Sequence, residues 1–429
     1  MGIFQANIKI LNTFLNHFKT VFSQKQFAVL TLLFYSLFKD YKRCSIQSLA
    51  HQANTDYQQF QYFISEAKWS VDDLTSTRLK LLQAQKSTAS SQNGILIIDD
   101  CGNPKPFSKH TEGAQYQHCG CLGRQEICNV FVASCFASKN KYFPVNLKFY
   151  KPASEFRWGK EDPDFKSKIQ LAHNLILEAK NTHISFDTIL LDSWYAAKEL
   201  LNLTDSLNKT FITELKDTRK LFFYHPGLKK HLMLQVGEIV TLVKKFYPHK
   251  VKPVHLKNRD GVSLRHWTYS FKSTLNDCPI PVKVVIMFGK WNKKDKPSHH
   301  VFITNNTSIS AYSIISTYMR RWCIEQVFRE LKDSFALDQY QVRSKTSIER
   351  YWHLCLLAWT CLYWIKQNAY LSKIITDSQS LKTFNDFKLA IASLIDYSSV
   401  TVLSRSQNMR NHCFRIKSKR FINSCAKVA

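Results

Sequence analysis

Apolar residues recur at helical spacing through Ile8–Phe22 and Phe27–Phe38. Two shorter helical stretches follow, Cys44–Ala53 and Gln58–Trp69, joined by Asn54-Thr55-Asp56. Residues 1–88 therefore read as an α-helical domain, and the short link is as compatible with a helix-turn-helix as with a plain bundle. The texture changes at Gly94. Ile95-Leu-Ile-Ile-Asp-Asp100 is an apolar run ending in two acids before Gly-Asn-Pro, the pattern of a buried strand stopped by a turn. Val130–Phe136 and Phe143–Tyr150 predict two more strands in an antiparallel meander, and Phe165–Lys180 predicts a helix. Thr188-Ile-Leu-Leu-Asp192 predicts another buried strand ending in an acid, with a helix from about Tyr195 and a strand at Thr210-Phe-Ile-Thr. This order predicts an α/β fold with a mixed sheet and acids at strand ends. Residues 89–215 form its first part. Residues 216–300 alternate in places (Met233–Val243, Val262–Lys272, Val282–Phe288) and read as a β-rich insertion. Residues 301–372 return to the core with two helices, and 373–429 read as a helical C-terminal region.

Charge narrows the partner. The 429 residues hold 60 Lys and Arg against 32 Asp and Glu, a net +28. A surplus that large points to a polyanion, and nucleic acid comes first. The helical domain 1–88 is then the natural DNA-binding module. The region Lys216–Lys296 has 18 basic residues against 5 acidic ones, and the last 25 residues hold seven Lys and Arg and no acid. The longest apolar runs, about a dozen residues, are too short to span a membrane and suit core helices. The start shows no basic segment leading into an apolar one, so secretion is not expected. Twelve cysteines lack a regular framework. Cys119, Cys121 and Cys128 cluster, but their spacing is tight for a zinc knuckle, and free buried thiols in a reducing cytoplasm are expected.

Candidate chemistry concentrates in Tyr318-Met-Arg-Arg321-Trp-Cys-Ile-Glu325 and in Lys332 beyond it. On a helix turning about 100° per residue, Tyr318, Arg321, Glu325 and Lys332 share one face. Arg329 and Trp322 project towards it. Ile324, Val327, Phe328, Leu331 and Phe335 occupy the other side. One carboxylate among cations and aromatics suits metal and phosphate together. Asp100, Asp192 and Glu325 would repel one another if brought together, and Mg²⁺ would supply the missing charge. Two such ions about 4 Å apart can activate an attacking oxygen and stabilise a leaving one on a phosphodiester. Asp99 could hold the metal in place of Asp100; strand alternation sends the two to opposite faces, so one of them belongs to the site. Each acid taken singly also fits a cap, a turn or a solvated face.

Together these residues resemble the DDE transposases of bacterial insertion sequences. Tyr318-x2-Arg321-x3-Glu325-x6-Lys332 matches the Tyr-Arg-Glu-Lys signature of insertion-sequence family four at every spacing. Lys105 to Cys128, with its Gly-Cys-Leu-Gly, is similar to the related family seven-hundred-and-one. The resemblance covers Gly94 to Ser344. It implies an RNase H-like catalytic core interrupted by a β-rich insertion, with Asp100, Asp192 and Glu325 as ligands of two Mg²⁺ ions, Mn²⁺ substituting. It implies that Tyr318, Arg321, Trp322, Arg329 and Lys332 bind DNA near the cut. Its partners would be double-stranded terminal inverted repeats and target DNA, bridged by a homodimer at a bacterial nucleoid in the cytoplasm, with no membrane. Cleavage would free a 3′-OH that forms and reopens a hairpin before joining target DNA. A second stacking tryptophan of the family has no counterpart before Val301, where His299-His300 stands; Trp291 is nearby. The alternatives are a catalytically silent DNA-binding relic acting as a repressor, and another RNase H-like nuclease.

Overall fold

A computed structural model describes residues 9–39, 45–257, 261–289, 299–368 and 383–403. Trp291 and the basic stretch after Arg405 lie outside the described residues. The chain forms two compact units, one of residues 90–108 and 113–327, the other of 1–89, 109–112 and 328–429.

The first unit carries the strands. They are β1 (Ile95–Pro104), β2 (Gln115–Cys119), β3 (Arg124–Ala137), β4 (Tyr142–Tyr150), β5 (Thr188–Leu191) and β6 (Thr210–Leu215). β1 lies between antiparallel β3 and parallel β5, β4 pairs with β3, and β6 is parallel to β5. The order β4-β3-β1-β5-β6 is the RNase H-like arrangement that the resemblance implies. Helix α6 (Lys168–Asn181) links β4 to β5 and packs on β3 and β4, and α7 (Lys198–Ser206) links β5 to β6. Leu96, Ile97, Ile98, Ile189, Leu190 and Leu191 are fully buried, as strands covered on both faces must be. Ser167 and Gln170 close a capping box that starts α6.

Residues 216–300 are β-rich as expected, with two corrections. β7 (Lys220–His225) and β8 (Lys230–Gln235) pair as a separate hairpin. β9 (Lys252–Lys257), β10 (Ser263–Ser273), β11 (Val282–Phe288) and β12 (His299–Thr304) form a meander that joins β6 through β12, so the insertion extends the core sheet to ten strands. The other correction is α8 (Val236–Phe246), inside the stretch read as alternating. Val236, Ile239, Val240 and Val243 are its buried residues, at offsets of 3, 4 and 7, a helical period that the alternation of Met233–Val243 masks. β1 also runs past its expected stop. Gly102 stays in the ladder opposite Val130, and a Cβ there would lie 2.7 Å from the Cys119 sulfur, so glycine serves close packing and not a turn. Cys119 and Cys128 are buried free thiols, whereas Cys121 is exposed.

The unit ends with α9 (Ala311–Tyr318), a 3-10 turn at Met319–Arg321 and the first residues of α10 (Trp322–Phe335). The expectation of one helix carrying Tyr318 through Lys332 is corrected here: the chain tightens for one turn after Tyr318. As expected, Ile324, Val327, Phe328, Leu331 and Phe335 are the buried side of α10.

The second unit is helical: α1 (Lys9–Asn16), α2 (Gln24–Lys39), α3 (Ile46–Ala53), α4 (Tyr57–Ser65), α5 (Val71–Gln83), α11 (Lys345–Gln367) and α12 (Phe384–Leu403), with the later part of α10. α11 is apolar nearly all round, and its residues from Tyr351 to Ile365 are buried, as befits a central helix. α2, α4, α5 and α12 pack on it. α11 groups with the N-terminal helices in this unit. Among the described residues no helix is long and apolar enough to cross a membrane.

Candidate active site

β1 and β5 run parallel in register, with Ile98 opposite Leu191. The next residues are Asp99 and Asp192, so the two carboxylates leave neighbouring strands at the same level. Asp192 directly follows β5, and its Oδ1 accepts the backbone N–H groups of Trp194 and Tyr195, both at 2.9 Å. It therefore also makes the turn that its sequence context allows. Asp99 accepts a bond from Arg321 Nη1 at 2.5 Å on Oδ2. The same guanidinium donates through Nη2 to Glu325 Oε1, also at 2.5 Å. Arg321 thus clamps an acid of the sheet to the acid in the first turn of α10.

Burial pushes the Asp99 carboxyl up to about 7; Arg321 opposes the rise, and the Asp192 and Asp100 charges add to it. Burial also raises Asp192, against its two backbone hydrogen bonds and Arg321. Burial works against the charge on Arg321, but Asp99, Tyr318, Glu325 and Asp192 outweigh it and hold the guanidinium charged. The site is a crowd of half-buried acids held by one arginine. It has the charge deficit that a divalent cation would fill.

Asp100 occupies the other face of β1. Lys168, the first residue of α6, lies 2.8 Å from its Oδ2, and Tyr195 donates its hydroxyl to Oδ1 at 3.1 Å. The Lys168 ammonium also sits over the rings of Tyr150 and Trp194. Burial, with Asp100 beside it, drives the Tyr195 hydroxyl well above its usual range. The sequence carries no local sign of Lys168 or Tyr195, because the partners are 68 and 95 residues from Asp100.

Beside Glu325 opens a cleft of about 330 Å³, lined in part by Tyr318, Trp322, Phe302, His300 and Glu214. The Tyr318 ring packs on Phe302 at 4.8 Å, and burial drives its hydroxyl above the usual range. His300 lies parallel to Phe302 and bonds to Glu214 at 2.6 Å, which raises its pKa against the effect of burial. Where the family resemblance asks for a second tryptophan, the cleft has this histidine. Glu214 and its pairing with His300 escaped the sequence reading because β6 and β12 become neighbours only in the sheet. Arg329 and Lys332 lie further along α10, in the part that belongs to the helical unit; Arg329 is exposed and Lys332 half-buried.

Asp99, Asp192 and Glu325 offer oxygen atoms, the donors that Mg²⁺ or Mn²⁺ prefers, and burial raises the pKa of Asp99 and of Asp192. The donor set fits such ions. Among the described residues no three His, Cys, Asp or Glu side chains are already spaced as a metal cage, and Arg321 holds Asp99 and Glu325 meanwhile.

Compared with known proteins, the chain matches the family described as DDE superfamily endonuclease over residues 14–271. No curated protein matches it. Among solved structures it is similar to a piggyBac transposase synaptic complex with hairpin DNA, determined by cryo-EM, at 8% identity and a TM-score of 0.44, over 93% of this chain and 76% of that one. The family match spans more than half of the sequence and takes in the two strands that carry Asp99 and Asp192, and the chain belongs to the DDE superfamily of endonucleases.

Proposed function

We propose that this chain is a DNA transposase that cuts at the terminal inverted repeats of the element encoding it and joins the freed 3′-OH ends to target DNA. The observation that carries the reading is the Asp99–Arg321–Glu325 clamp beside Asp192. Asp99, and not Asp100, takes the first acidic position, since Asp99 shares its level with Asp192 and its arginine with Glu325. Asp100 is engaged by Lys168 and Tyr195 and acts as a support. Two Mg²⁺ ions held by Asp99, Asp192 and Glu325 would stabilise charge on the attacking and leaving oxygens of a phosphodiester.

The protein's own groups do the rest. Arg321 orients Glu325 towards the sheet and keeps a positive charge where a scissile phosphate arrives. Tyr318 and Trp322 present aromatic faces, and the cleft they line would receive a base turned out of the duplex, which a hairpin route needs. Hydrolysis breaks a P–O bond and leaves a 3′-OH. That hydroxyl then attacks a phosphorus of the opposite strand, expelling its 3′-oxygen and closing a hairpin. A second hydrolysis reopens the hairpin and frees the 3′-OH again, which attacks a phosphorus of target DNA and expels a 3′-oxygen there. Arg329 and Lys332 extend the cationic grip along α10, and a homodimer holds two ends together. The work would be done on DNA at a bacterial nucleoid.

The test uses a duplex carrying the gene with its flanks. In Mg²⁺ the wild-type chain is expected to cut at two discrete ends. Asp99→Ala and Asp192→Ala lose at least about a thousand-fold in rate, the scale on which removing such groups acts. Asp100→Ala is expected to retain cutting within about ten-fold. Full cutting by Asp99→Ala, with loss in Asp100→Ala, would reverse the assignment of the two aspartates.

A further inference from the structure

The helical unit contains a second element suited to DNA, distinct from the acids. α3 has eight residues, α4 has nine, and Asn54-Thr55-Asp56 joins them. Asn54 sits in the left-handed region at φ 50°, and its N–H returns to the Ala50 and His51 carbonyls to close α3. Asp56 then caps α4 through the N–H of Gln58. The inner faces are Leu49, Ala50 and Ala53 on α3 and Phe60, Phe63 and Ile64 on α4, all buried. Two alanines let the helices approach closely. Two short helices joined by a tight turn are the form of the units whose second helix lies in a major groove.

α4 is held firmly from behind. Arg350 of α11 donates to the carbonyls of Ile64, Ala67 and Trp69 at 3.1, 2.7 and 3.1 Å, and its guanidinium stacks on the Trp69 ring at 4.6 Å. Its outward face carries Tyr57, Gln58, Gln59, Gln61 and Tyr62, all exposed, and no charge. A tyrosine serves a protein contact and a stacked base alike. A glutamine amide, in contrast, pairs two ways with the edge of adenine in the major groove. Arg343 is exposed and lines a cleft of about 460 Å³ with Tyr57, Gln61 and Ser344. It supplies the cation for a phosphate beside the groove. Residues 1–89 hold ten Lys and Arg against five Asp and Glu, a charge that complements DNA.

We infer that α4 is the helix that reads the end sequence of the element, with Gln58 and Gln61 on base edges and Arg343 on a backbone phosphate. The inference rests on the transposase reading, since it needs an end sequence to be read. It assigns recognition to α4 and leaves cutting to the acids of the other unit.

The test uses the full chain, with Ca²⁺ replacing Mg²⁺ so that nothing is cut. The probes are duplexes from the two ends of the DNA carrying the gene, and shuffled duplexes of equal length. The Gln58→Ala, Gln61→Ala double variant changes exposed side chains, and its melting temperature should match wild type. It is expected to lose at least about ten-fold in affinity for the ends, in line with two base-edge contacts, while binding shuffled duplex as before. Arg343→Ala is expected to weaken both duplexes alike and reduce the salt slope of binding by about one. A double variant that keeps the preference for ends overturns the assignment of α4, and one that instead loses self-association in sedimentation marks the face as a protein contact. A wild-type chain with no preference for ends overturns the transposase reading as well, so the two failures are distinguishable.

Discussion

Asp99 and Asp100 are adjacent in sequence and serve different partners, because a strand sends successive side chains to opposite faces. On one side lie Arg321 and Glu325, on the other Lys168 and Tyr195. This difference has a measurable pH signature. The folded Asp99 carboxyl titrates near 7, whereas an unfolded aspartate titrates near about 4. Between these values the folded state binds a proton that the unfolded chain releases, so the group makes stability fall as pH rises through that window. Asp99→Asn removes the effect. In metal-free buffer the variant is expected to gain on wild type as pH rises from 4 to 7, by on the order of 2 kcal/mol at the upper end. Thermal melts of both proteins across that range check it. A constant difference would mean that Asp99 is ionised throughout.

At the scale of elements, α4 depends on a residue of a helix remote in sequence. Arg350 satisfies three carbonyls at and beyond the end of α4. Arg350→Ala leaves these buried acceptors without their donor and is expected to destabilise the chain by about 2–4 kcal/mol. Denaturant unfolding measures the loss, and an effect below about 0.5 kcal/mol would show that α4 stands without the clamp. Local pattern also explains what the sequence made legible. Apolar runs found β1, β3, β4, β5 and β6, and the spacing around Glu325 identified the buried side of α10 correctly. The short polar β2 has no such run, and it is ordered by pairing with β3. The tight turn at Met319–Arg321 has no Gly or Pro to announce it. Likewise, the pairing of Asp99 with Arg321 spans 222 residues and exists only once the sheet is built. The signature residues could be named from sequence, but the acid they clamp could not be chosen.

For the whole molecule, charge and family point to one partner. A net +28 on 429 residues predicts DNA affinity that falls steeply with salt. Between 50 and 200 mM salt, binding of a shuffled duplex is expected to drop by at least about a hundred-fold, as contact with several phosphates requires. A shallow slope would mean that the positive charge is spread away from the DNA.

The central claim is that the acids of the strand unit form a DNA-cutting centre. The most direct measurement is Mg²⁺-dependent cleavage of DNA carrying the gene and its flanks, with wild type and Glu325→Gln side by side. The account predicts cutting at two discrete ends by wild type and none by the variant, with both proteins binding those ends equally well. Equal cutting by both, or binding without cutting in either, would contradict it.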